Sequence, residues 1–268
     1  MVTPTPTVFG IDFSGGARAG RKIWLAEGRV SGAGLHIVQV QPCSELPGSG
    51  PLREVCLPAL RALIAGRPDA TFGVDAPFGL HEDLVAEPDW PSFVQAFAKR
   101  HPTAEHFRAA CREATGGREH WRRTDKEARV PFTGYNLRVF RQTFHFLRDV
   151  AAPLLEADAV RVRPMQAPAL GRATLVEICP ASTLKAEGLY RTYKADSTAH
   201  AEARRGMLAA VASRFGVTIE SPELVERIVA DPEGDALDAV LAAVATAKAL
   251  SVSDADLGDY HLEGYVYV

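Results

Sequence analysis

The sequence predicts an α/β fold: a mixed sheet flanked by helices and interrupted by a mostly helical insertion. Three observations carry this reading. Residues 8–11, 22–29 and 35–41 read as three successive strands, the last two separated by Val30-Ser31-Gly32-Ala33-Gly34, so they form an antiparallel meander. Residues 51–65 then place Leu52, Val55, Leu57, Leu60, Leu63 and Ile64 at helical spacing, so the strand that follows, 71–75, arrives by a crossover and runs parallel to a neighbour. Finally, Phe9-Gly10-Ile11-Asp12 returns as Phe72-Gly73-Val74-Asp75. The repeat places these two strands side by side, each with a carboxylate at the same end.

Further along, residues 79–169 turn aromatic, basic and helical, with helices expected over 91–100, 104–113 and 135–149. This stretch reads as an insertion in a single domain spanning 1–268, seated as a cap over the acidic end because it leaves the strand that ends at Asp75. Residues 173–179 return to strand character, 180–187 and 199–215 read as helices, 235–250 as a strongly apolar helix, and 264–268 as a short strand. There is no repeat of solenoid length and no low-complexity linker.

With 268 residues, 47% of them hydrophobic, the chain can bury a sizeable core. Cys43, Cys56, Cys111 and Cys179 are widely spaced, without a Cys-x-x-Cys pair or histidines at zinc spacing, and read as reduced packing residues. The start of the chain lacks a basic region followed by an apolar core, and no apolar run reaches the roughly 20 residues that span a bilayer. A cytoplasmic protein without a membrane partner is the expectation. The net charge of −3 is unevenly distributed: residues 99–148 hold 12 Lys and Arg against 5 Asp and Glu, which makes that segment +7 and the remainder −10. A basic surface of this kind either steers a polyanion or is a solvated helical face.

The chemistry rests on carboxylates. Asp12 ends an apolar strand and is followed by Ser14-Gly15-Gly16, a turn of little bulk that a phosphate or metal can approach closely. Asp235 and Asp238, three residues apart, project from one face of the last helix's first turns. They are suited to share a divalent cation, although acidic residues also favour a helix N-terminus through capping and the helix dipole. Glu177 lies inside the apolar strand Leu175-Val176-Glu177-Ile178 and needs a partner, either an ion-pairing residue or a metal shared with the other acids. Oxygen-only donor sets suit Mg²⁺ or Mn²⁺ better than zinc. Arg123, Asp125, Lys126 and Arg129 form a polar group in the insertion, either holding substrate phosphates or pairing within a helix. His81, His101, His106, His120 and His145 show no pairing that signals a base, and no role is assigned to them.

The layout of meander, helix, Asp-bearing strand and final Asp-x-x-Asp-Ala helix is similar to the RNase H-like fold, which implies strand order 3-2-1-4-5. More specifically, Gly10-Ile11-Asp12, Asp75-Ala76-Pro77-Phe78-Gly79-Leu80, Arg123-Thr124-Asp125 with Arg129, Val176-Glu177-Ile178-Cys179-Pro180, Tyr193-Lys194 and Asp235-Ala236-Leu237-Asp238-Ala239 resemble domain-of-unknown-function family 429, described as predicted RNase H-like nucleases. The resemblance implies a cluster of Asp12, Asp75 and Asp238, with Asp235 and Glu177 as further catalytic candidates. Asp12, Asp75, Asp235 and Asp238 are then the metal ligands, and Ser14, Arg123, Asp125, Arg129 and Lys194 the substrate-binding residues. One departure is that the helix over 51–65 offers only Glu54, near its start, where ribonuclease H proper has a central Glu.

Three functions compete at this point. The first is a metal-dependent nuclease or phosphodiester hydrolase with a nucleic acid or nucleotide as partner. The second is a nucleotide-binding phosphotransferase of the actin-like or sugar-kinase type, with Phe13-Ser14-Gly15-Gly16 as its phosphate turn. The third is a non-catalytic nucleic-acid-binding module on the same fold.

Overall fold

A computed structural model describes residues 5–32 and 34–268; Met1 to Pro4 and the turn residue Ala33, both used in the sequence reading, lie outside the described residues. The strands are β1 (Thr7–Asp12), β2 (Trp24–Ser31), β3 (Gly34–Pro42), β4 (Thr71–Asp75), β5 (Val160–Arg163), β6 (Ala173–Ile178), β7 (Val217–Ile219) and β8 (Val266–Tyr267). Among the described residues they form one sheet of order β5-β6-β4-β1-β2-β3-β7, with β8 on β6. β1, β2 and β3 pair antiparallel as a meander, while β4 lies parallel to β1, and β6 parallel to β4. This is the mixed sheet of order 3-2-1-4-5 expected from the sequence, extended at its edges by the short strands β5 and β7, which the sequence reading did not identify.

Helices cover both faces. They are α1 (Ala19–Lys22), α2 (Arg53–Ala65), α3 (Trp90–Arg100), α4 (Ala104–Ala114), α5 (Arg123–Glu127), α6 (Phe140–Phe146), which runs on through a π-helical turn (Leu147–Ala151) into α7 (Ala152–Glu156), α8 (Pro180–Ala186), α9 (Thr198–Phe215), α10 (Pro222–Ala230) and α11 (Asp235–Ala249). Alternation along β1 sorts the layers. Phe9 and Ile11 face a core shared with Leu57, Leu60 and Ile64 of α2 and with Phe93, Phe97, Phe107, Phe144 and Phe146 from α3, α4 and α6. Val8 faces the opposite core, with Val240 and Val244 of α11, Leu208 of α9 and Ile228 of α10.

The helical segment between β4 and β5 therefore does more than cap the acidic end. Much of it thickens the α2 layer, while α5 with Arg122, the stretch that follows and the start of α6 reach the strand ends. The backbone of Arg141 in α6 packs so closely on the turn after Asp12 that a Cβ on Gly15 would lie 2.2 Å from its carbonyl oxygen. No single helix among the described residues is long and apolar enough to cross a membrane.

Candidate functional site

Each position of the repeated Phe-Gly-x-Asp does separate work. In the parallel register of β1 and β4, Phe9 stands opposite Phe72, Gly10 opposite Gly73 and Asp12 opposite Asp75. The two phenyl rings stack with centroids 4.5 Å apart. On the other face the glycines leave room for α11, since a Cβ on Gly10 would meet the amide nitrogen of Ala243 at 2.0 Å and the carbonyl oxygen of Ala239 at 2.2 Å. The helix thus lies directly on the strand backbone, with its first turn at the end where β1 and β4 deliver their aspartates.

Asp238 is 5% exposed and both of its carboxylate oxygens are engaged. The Tyr193 hydroxyl donates to Oδ1, and the Lys194 ammonium donates to Oδ2 at 2.6 Å. Lys194 Nζ also lies 3.8 Å from Asp235 Oδ1, and Lys22 Nζ lies 4.0 Å from Asp235 Oδ2. A single ammonium therefore stands between the two acids of the helix. Burial, then the charges of Asp238, Asp235 and Asp75, hold Asp12 well above the usual carboxylate range. Burial followed by Asp238 pushes Asp75 up to about 8, and burial pushes Asp235 up to about 6. Asp238 is also raised by burial, against the pull of Lys194 and Tyr193. Burial works against the charge on Lys194, but Asp238 and Asp12 outweigh it and hold the lysine protonated. This is the electrostatic signature of acids crowded together in low dielectric with too little positive charge.

Asp12, Asp75, Gln142, Tyr190, Arg191, Tyr193, Lys194 and Asp238 line a cleft of about 350 Å³. The Gln142 side-chain amide donates to the Asp75 carbonyl, fixing α6 at the cleft wall. Asp75 and Gln142 also line a smaller adjoining cavity of about 210 Å³, whose far wall carries Phe132, Arg122 and Glu177.

Glu177 takes the ion-paired alternative. Its two oxygens accept from Arg122 at 2.5 and 2.8 Å, and Oε2 also accepts from the Phe78 amide at 2.9 Å. Both oxygens are thereby engaged by protein partners, and Glu177 stands outside the residues that line the cleft with Asp12 and Asp238. Asp125 belongs to the same buried group: it accepts from the Arg122 guanidinium at 2.6 Å and from its backbone amide at 3.0 Å, capping α5. Arg123 turns to the surface, paired with Glu127 at 3.0 Å and Asp259 at 2.8 Å, and Arg129 is an exposed residue with φ 52°. Neither lines the cleft: α5 turns Thr124 and Asp125 inward beside Arg122 and leaves Arg123 in solvent, and Arg129 lies beyond the end of the helix. Ser14 accepts the Gly16 amide at 3.3 Å and shapes the turn after Asp12.

The sequence reading thus misses Arg122, whose place in a basic run hides its burial, Gln142, which reaches the cleft from a helix without a recognisable motif, and Arg191, in the loop just before Tyr193-Lys194. Tyr193, quoted above only beside Lys194, holds one oxygen of Asp238.

No curated protein matches the chain. Among solved structures it is similar to the yeast mitochondrial Holliday junction resolvase, at 14% identity over 97% of this chain and 86% of that chain, with a TM-score of 0.35. A family model described as protein of unknown function (DUF429) matches residues 10–257. The chain belongs to this family, domain-of-unknown-function family 429.

Proposed function

We propose that the protein is a metal-dependent phosphodiester hydrolase that acts on a nucleic acid or nucleotide in the cleft at the ends of β1 and β4. The observation that carries this reading is the convergence of Asp12, Asp75 and Asp238 from three elements on one cleft, with the Lys194 ammonium against Asp238. Buried acids raised above their usual range are stabilised by added positive charge, and the donors are all oxygen, so the residues fit Mg²⁺ or Mn²⁺. Asp12, Asp75 and Asp238 would hold the ion, with Asp235 at the rim. When bound, such an ion supplies charge stabilisation for phosphoryl oxygens and acidifies water.

The chain's own residues do the rest. Lys194 neutralises Asp238 in the metal-free protein and, with its side chain about half exposed, is free to swing toward a substrate phosphate. Arg191 offers a second cation on the cleft wall. Burial and the charge of Asp238 push Asp75 up to about 8, so its carboxyl group would release a proton on taking up a cation.

Calorimetric titration with Mn²⁺ and Mg²⁺, followed by incubation with single-stranded DNA, duplex DNA and RNA, tests the reading. Metal binding and cleavage that both vanish in Asp12→Asn are the expected result. Metal binding without cleavage of any substrate favours the binding module. Absence of binding at millimolar metal rejects the site.

A further inference from the structure

The loop that follows β4 and the segment that precedes α5 meet at a second set of donors, made of residues that play no part in the carboxylate cleft. His81 and Asp83 lie at a 3-10 turn (Glu82–Leu84), and His120 lies 39 residues further along. Asp83 Oδ2 stands 3.3 Å from His81 Nδ1 and 3.3 Å from His120 Nδ1. One donor atom from each of the three residues lies within 4.8 Å of the other two, and the imidazole rings meet edge to face with centroids 5.5 Å apart.

Both backbone segments are held in place. The Glu263 carboxylate accepts from the Glu82 amide at 2.7 Å and from the Arg123 amide at 3.0 Å, while the Tyr135 hydroxyl accepts from the His120 amide at 2.5 Å and donates to the Arg118 carbonyl at 2.9 Å. Asp83 remains open to solvent, with its side chain 61% exposed, so an ion has a route in.

We propose that His81, Asp83 and His120 form a binding site for a zinc-class transition-metal ion, separate in residues and in donor chemistry from the carboxylate cleft. An ordinary surface ion pair sets one imidazole on a carboxylate oxygen, whereas here two imidazoles converge on the same oxygen. The spacing fits an ion as well. Donors bonded at about 2.0 Å in a tetrahedron lie about 3.3 Å apart, which is the separation found on both sides of Asp83 Oδ2. Two imidazoles and one carboxylate are a donor set for borderline-soft ions, with a fourth position left for water, whereas Mg²⁺ favours oxygen. The amide of Asp83 donates to His81 Nδ1 at 3.2 Å, a long contact that the ion would replace. Bound there, the ion clips the start of the helical segment to backbone two residues from Arg122.

The test uses the full chain, stripped with a chelator and titrated with Co²⁺, then with Zn²⁺ as competitor. Because Co²⁺ also suits the carboxylates of the cleft, the site is read in Asp12→Asn: one equivalent of Co²⁺ with visible ligand-field absorption, displaced by Zn²⁺, is expected there, and the same absorption in the unsubstituted protein. Single His81→Gln and His120→Gln substitutions should weaken binding by more than about 100-fold, beyond what removing a ligand's own supporting contacts costs. A second measurement needs no variant: Zn²⁺ should protect His81 and His120 from diethyl pyrocarbonate while the exposed His261 still reacts. The proposal is overturned if Asp12→Asn binds no Co²⁺ stoichiometrically, if both histidine variants keep full affinity, or if His81 and His120 react equally with and without Zn²⁺.

Discussion

A carboxylate removed from water beside other carboxylates resists ionisation, and at Asp75 the effect is large enough to set how stability depends on pH. An unfolded aspartate titrates near 3.9, whereas burial and Asp238 push folded Asp75 up to about 8. Between those values the folded state binds the extra proton, so this group's contribution is fully present below about pH 4 and is lost as pH rises through about 8. Without divalent metal, Asp75→Asn should therefore remove a downward slope of melting temperature between pH 5 and 8, which paired thermal melts would read directly; parallel curves for the two proteins would refute it. The same proton competes with a cation. Mn²⁺ affinity should rise with pH toward 8, with protons released on binding, measurable by calorimetry in buffers of different ionisation enthalpy. Asp12→Asn, which relieves repulsion among the acids, should leave the metal-free melting temperature unchanged or higher and abolish the Mn²⁺-dependent increase. A variant that melts lower without metal, yet keeps the Mn²⁺ increase, would show that Asp12 is structural.

At the scale of elements, the packing of α11 on the sheet decides where Asp238 sits. Gly10 meets the helix backbone, whereas a Cβ on Gly73 would meet the Thr246 side chain, with Oγ1 at 1.9 Å and Cβ at 3.1 Å. Backbone cannot step aside as a hydroxyl can, so Gly10→Ala should destabilise by about 3 kcal/mol, the upper end of ordinary overpacking, and also weaken Mn²⁺ binding by displacing Asp238. Gly73→Ala should cost less and be partly rescued by Thr246→Ala, a coupling that a double-mutant cycle by chemical denaturation would detect; additive effects would count against direct contact. These elements were also the legible ones. The Phe-Gly-x-Asp repeat betrayed β1 and β4 because strands in register must answer each position alike, and the apolar helix over 235–250 announced its burial. β5 and β7, four and three residues long, carry too little pattern to stand out from their surroundings. His81 and His120 meet only through tertiary packing, and no sequence spacing signals them.

Across the whole molecule, the group that ties the parts together is a buried ion cluster. Arg122 reaches from the helical segment to Glu177 on β6 and also donates to the Glu263 carbonyl in the C-terminal tail at 3.0 Å. Five of the 12 basic residues of 99–148, namely Arg100, Arg122, Arg123, Arg141 and Arg148, meet carboxylates, so part of that segment's positive charge is spent on holding the fold. Arg122 is 2% exposed, Glu177 3% and Asp125 1%, which means that removing the arginine strands two carboxylates away from water. Breaking a buried pair from one side costs about 3–5 kcal/mol, whereas replacing both partners by neutral groups costs far less. Arg122→Met should accordingly lower stability by that amount at pH 7, and its deficit should shrink on acidification as Glu177, already raised by burial, takes up a proton. Adding Glu177→Gln to Arg122→Met should recover a large part of the loss, because the amide leaves no charge to bury. Urea denaturation of the single and double variants at pH 5 and pH 7 measures all of this. If Arg122→Met costs less than about 1 kcal/mol, the cluster is not what joins the helical segment to the sheet. If instead Glu177→Gln alone abolishes Mn²⁺ binding while stability is kept, Glu177 belongs with the carboxylates of the cleft.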